Sequence, residues 1–199
     1  MKARFLIALA AVSAAPRAGA LSIVFNDVGT NPMSQAALDG FQTAANQWQA
    51  LIANDVTVRI DIACYDFGPG QSNTIGQAGS YFYSGTYAEI HGAWAASATS
   101  AVDAAVMARL PAGDTYTRRI NLASDLPDPS TPVLASTDSM WINGGNAKAM
   151  GLLPADYPNV DADIEFNSAF AFDYNRADGI AANQMDFVGV AAQAPWISA

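Results

Sequence analysis

The sequence predicts an α/β (α+β) fold, a mixed sheet packed by two longer helices, and three observations carry that expectation. Val56, Val58, Ile60 and Ile62 alternate with Thr57, Arg59 and Asp61, the period of a strand with one buried face. Leu38, Phe41, Ala45, Trp48 and Ile52 recur at steps of three and four, which marks an amphipathic helix. Glu89 to Leu110 is alanine-rich with Ile90, Trp94, Val102, Val106 and Leu110 spaced through it, and Pro111 and Gly113 stop this second helical stretch.

The elements follow in order along the chain. Met1 to Arg4 is basic, Phe5 to Ala15 is apolar, and Pro16 to Ala20 ends in small residues. These are the three parts of a secretory signal peptide cleaved near Ala20. The apolar run falls short of the roughly 20 residues a membrane span needs. The expected division is therefore a signal peptide over 1–20 and one domain over 21–199, secreted or periplasmic, with no membrane insertion after cleavage. Leu21 to Phe25 suits a first strand, and Ser34 an N-cap for the helix that Asn54-Asp55 ends. Phe67 to Gly79 reads as loop, and Ser80 to Tyr87 as a strand leading into the alanine-rich helix, which is expected to break near Ser97 to Ser100. Thr117 to Leu122 suits a short strand and Pro127 to Pro132 a proline-rich loop. Gly144-Gly145 reads as a turn and Lys148 to Leu153 as a short helix. Asp163 to Phe172 reads as a strand, Asp173 to Asn183 as a polar turn, and Asp186 to Ala192 as the start of a helix with Asp186 near its N-cap. Phe41, Trp48, Val58, Ile60 and Ile164 are the expected core.

Charge narrows the partners. The chain has 9 basic and 18 acidic side chains. Lys2, Arg4 and Arg17 leave with the signal, so 6 basic residues face 18 acidic ones and the mature net charge is −12. Such a chain repels phosphate backbones and anionic lipid, which argues against nucleic-acid partners. One cysteine, Cys64, cannot form an internal disulfide, and its apolar neighbours make it a small buried hydrophobe.

Catalytic sets are scarce. A serine or cysteine triad would have to use His91, the single histidine, and no Gly-x-Ser-x-Gly elbow accompanies it. One His and one Cys fill neither a catalytic nor a structural zinc set. Oxygen ligands are more plentiful. Asp156, Asp161, Asp163 and Glu165 lie in one stretch. Asp173, Asn175 and Asp178 lie in a run that resembles a calcium loop, although Ala177 takes the third ligand position and no glutamate closes it. A hydrogen-bonded turn with Gly179 at positive φ explains the same residues. Asp163 and Glu165 share a strand face as a glycosidase pair would. Tyr81, Tyr83, Trp94 and Trp141 are either core or a sugar-stacking platform.

Four segments together resemble exported bacterial zincin-like metalloproteases, a group often associated with PEP-CTERM sorting. They are Phe41-x-x-Ala44-Ala45-x-x-Trp48-x-x-Leu51 with Asp55 to Ile60; Asp103-Ala104-Ala105 with Arg109-Leu110-Pro111; Ala162 to Ser168 with Phe172-Asp173-Tyr174; and Asp178-Gly179-Ile180 with Met185 to Ala192. The resemblance implies the N-terminal part of a zincin catalytic domain, with the strand from Asp163 along the substrate cleft. It also implies a final segment running into the His-Glu-x-x-His helix, whose histidines bind zinc and whose glutamate activates water on a peptide substrate. In this chain Gln193 stands at the first histidine, Ala194 at the glutamate, and Ile197 or Ser198 at the second histidine. The expectation is a C-terminally truncated relative, inactive as given, with no catalytic residue and no zinc of its own. The alternative is an exported non-enzymatic calcium- or polysaccharide-binding protein.

Overall fold

The computed structural model describes residues 20–120 and 133–197, with side chains described up to residue 193 in the last helix. Residues 1–19 of the signal peptide expected over 1–20, the loop expected from Pro127 to Pro132 and the final Ser198-Ala199 lie outside the described residues. The elements run β1 (Ser22–Asp27), α1 (Gln35–Gln49), β2 (Thr57–Tyr65), β3 (Gly76–Ser80), β4 (Phe82–Thr86), α2 (Tyr87–Ser97), α3 (Ala101–Met107), β5 (Tyr116–Ile120), β6 (Val133–Thr137), β7 (Ser139–Asn143), α4 (Gly144–Ala149), β8 (Ala162–Asn167), β9 (Phe172–Asp173), β10 (Met185–Asp186) and α5 (Phe187–Ile197).

The main sheet has the order β1-β2-β8-β3. β1, β2 and β8 are parallel, and β3 pairs antiparallel with β8 at the edge. The sheet is therefore mixed, and the α/β (α+β) expectation holds. Alternation along β2 and β8 sends Val58, Ile60, Ile62, Ile164 and Phe166 to one face, where α1 and α5 cover them. Phe187 of α5 meets Phe41 of α1 edge-on at 5.0 Å and Phe166 at 4.8 Å. Each such ring or branched chain removed from water contributes roughly 1.5–3 kcal/mol. α1 and α5 approach closely at Gly40, where a β-carbon would lie 2.7 Å from Phe187 Cδ1.

Local signals explain most boundaries. Ser34 caps α1 by accepting from the Ala37 amide. The expected break in the alanine-rich stretch is real: α2 ends at Ser97, and Ser100 opens α3 with a capping box to Asp103. Asp186 caps α5 as expected, its Oδ1 accepting from Gly189 N at 2.9 Å.

Several expectations need correction. α1 ends at Gln49 and not at Asn54, so Ile52 is exposed beyond it. Trp48 sits at the rim of the core, its indole N–H donating to Ala192 O of α5 at 3.0 Å. The loop expected over Phe67 to Gly79 contains β3. This strand carries no hydrophobic alternation because it lies tight against β8: a β-carbon on Gly76 would meet Glu165 O at 2.8 Å. Gly144-Gly145 opens α4 and is not a turn. The strand expected from Asp163 to Phe172 ends at Asn167, whose buried side chain turns the chain by accepting from Ala169 N and donating to Thr74 O.

A second layer packs beside the sheet. β4 and β7 form an antiparallel ribbon, and Ile90, Ile142 and Ala147 form its core with α2 and α4. One polar clasp joins the two layers. Lys148 Nζ on α4 lies 2.6 Å from Asp161 Oδ2 and 2.9 Å from Thr57 O, and Asp161 Oδ2 also accepts from Arg59 N at 2.9 Å. The pair is almost wholly out of water, Lys148 at 3% and Asp161 at 6% exposure.

Candidate functional site

α5 is the segment whose sequence the resemblance aligns with the approach to the zinc helix. It follows β9 and β10 directly and packs on α1. Its described polar side chain near the motif position is Gln193, which is exposed. The single histidine, His91, lies on α2 with its ring 5.4 Å from that of Tyr87. Among the described residues no three His, Cys, Asp or Glu side chains gather as a metal site. The residues present do not fit a zincin zinc: an amide takes the first histidine's position and the only imidazole stands on another helix. Cys64 points into the main core, where burial first and the charge of Asp27 second raise its thiol above the ordinary value, so it is a poor nucleophile.

The calcium candidates Asp173, Asn175 and Asp178 lie in one turn. Asp173 Oδ1 accepts from Asn175 N at 2.9 Å and Oδ2 from Ala181 N at 2.7 Å. Asn175 Oδ1 accepts from Ala177 N at 3.1 Å. Gly179 has φ of 89°, the positive value that a turn of this kind asks of glycine. The Ala181 amide, then that of Asn175, hold the Asp173 carboxyl below its ordinary pKa. Both Asp173 oxygens and Asn175 Oδ1 are thus already engaged by amides, the geometry of a hydrogen-bonded turn.

In the other acidic stretch, Asp161 is committed to the Lys148 clasp, while Asp163 and Glu165 share the open face of β8, as their spacing requires. Asp61 stands beside Asp163 in the β2–β8 register. Asn26 donates its side-chain amide to Asp61 at 3.0 Å, and Tyr65 donates its hydroxyl to Glu165 Oε2 at 2.8 Å. Gln77 of β3 donates to the same Glu165 oxygen. Burial, then the charges of Glu165 and Asp61, raise the Asp163 carboxyl above its ordinary value.

This carboxylate face borders a groove of about 670 Å3 between the two layers. Asp61 and Asp161, Tyr81 and Phe82, and Tyr157 and Asn159 all line it. Of the four aromatic residues singled out in the sequence, Trp94 and Tyr83 pack on the second core. Tyr81 and Trp141 are 54% and 69% exposed. Sequence reasoning missed Phe82, which is 55% exposed and lies 6.5 Å from Trp141. Its signal was present: β-strand alternation places Phe82 and Tyr83 on opposite faces of β4. No helix among the described residues is long and apolar enough to cross a membrane. No protein family, no curated protein and no solved structure matches the chain.

Proposed function

We propose that this chain is an exported relative of the zincin-like metalloproteases that does not itself cut peptides. The observation that carries this reading is the pairing of α1 and α5 over one face of a mixed sheet, with α5 leading from β10 toward Gln193. That is the element order the four resembling segments imply, and α5 carries Gln193 where the resemblance places the first histidine. The donor set supports the loss of catalysis. Zinc activation of water needs three protein ligands and a base, and the 199 residues hold one histidine, placed on α2.

The test is incubation of the full chain with casein and with a mixed fluorogenic peptide library, with and without added zinc. No turnover above a buffer control is expected. Zinc-dependent cleavage that copurifies with the chain and is abolished by a chelator overturns the reading.

A further inference from the structure

The groove between the two layers has the mixed lining of a ligand site, and it is independent of the metalloprotease reading. Its aromatic wall is open: Tyr81 and Phe82 present more than half of their surface. In the β4–β7 register Ser84 pairs with Trp141 and Phe82 with Asn143. Phe82 and Trp141 therefore stand diagonally on the same outer face of the ribbon, their rings 6.5 Å apart and tilted by 37°. Large aromatic side chains clustered on a surface and rimmed by polar groups mark a contact site. Asp61, Asn159 and Ser84 supply acceptors and donors to the same groove. No lysine or arginine lines the groove, and Asp163 and Glu165 stand alongside it.

We propose that this groove binds a segment of an uncharged polysaccharide. A pyranose ring has an apolar C–H face and an edge of hydroxyls, so it matches a lining that combines aromatic rings with carboxylate, amide and hydroxyl groups. The sugar faces seat on Tyr81 and Phe82, and Trp141 extends the platform for the next unit of the chain. Asp61 and Asn159 hold hydroxyls. Anionic polymers are disfavoured, because Asp61 lines the groove, Asp163 stands beside Asp61 in the β2–β8 register, and no lysine or arginine lines it. The platform is fixed before binding. Tyr81 N donates to Asp161 O at 2.8 Å, and Gly144 N donates to Tyr81 O at 2.9 Å. The Lys148–Asp161 clasp anchors that junction, so little ordering is lost on association.

The experiment titrates the full chain with cello-, xylo-, manno- and chito-hexaose by calorimetry, with polygalacturonate as the anionic comparison and light scattering as the check on self-association. The wild type binds at least one neutral oligosaccharide with a dissociation constant in the micromolar to millimolar range. Phe82→Ala and Trp141→Ala each weaken it about tenfold or more, with circular dichroism and urea midpoint unchanged because both rings are exposed. Four results overturn the proposal: no neutral oligosaccharide binds, binding survives in the double variant, polygalacturonate binds as tightly, or the wild type forms a dimer that Trp141→Ala dissolves and no glycan competes with.

Discussion

Replacing Lys148 by alanine removes the clasp between α4 and the main sheet and leaves Asp161 as a buried carboxylate without its counter-charge. Lys148 Nζ makes two contacts, 2.6 Å to Asp161 Oδ2 and 2.9 Å to Thr57 O. After the substitution Asp161 keeps only the Arg59 amide as a donor at that oxygen, and Thr57 O loses a partner. Breaking a buried pair from one side costs about 3–5 kcal/mol, because the orphaned charge keeps its desolvation penalty. A domain of this size holds roughly 5–15 kcal/mol in total, so the variant folds marginally. At about 2–4 °C per kcal/mol, its midpoint falls by roughly 6–20 °C. The companion variant Lys148→Met with Asp161→Asn removes both charges while asparagine still accepts from Arg59 N, and it recovers most of the loss. Urea unfolding followed by circular dichroism reads both. A loss below about 1 kcal/mol for Lys148→Ala, or a double variant as unstable as the single one, refutes the reasoning from uncompensated charge.

Two further outcomes follow from the geometry. Gly40→Ala gains about 1 kcal/mol of helix propensity but drives a β-carbon to 2.7 Å from the Phe187 ring. Overpacking of about 1–3 kcal/mol wins, and urea unfolding shows net destabilisation that Phe187→Leu in the same chain relieves. Asp163 has a folded pKa raised above its unfolded value, so the native state binds the proton more readily and stability falls as pH rises through the ordinary carboxylate range and past the folded value. Asp163→Asn therefore raises the urea midpoint at neutral pH, and the gain disappears below the ordinary aspartate pKa.

The layer that the sequence revealed best is the main sheet. β2 alternates strictly because only one of its faces meets α1 and α5, and the helix spacing from Leu38 to Trp48 is the imprint of the same face. β3 left no such imprint. Its glycines answer to the close approach of β8 backbone and of the Asp163 carboxylate, a tertiary demand that no local period encodes. The clasp is invisible in the sequence for a related reason: Lys148 and Asp161 read as ordinary charged residues, and only the tertiary fold buries them against each other. Asp163 and Glu165 were legible as a same-face pair from spacing alone. The groove was half legible. Tyr81 and Trp141 read equally as platform or core, and the ribbon register that turns Phe82 and Trp141 outward and Tyr83 inward is a tertiary fact.

The proposal of a zincin-like relative in which helix α5 binds no zinc is tested most directly by native mass spectrometry of the chain purified in the presence of zinc. The account predicts the mass of the apo chain, with only weak zinc adducts that dilution removes. A stoichiometric zinc ion that survives dilution and leaves on chelation contradicts it.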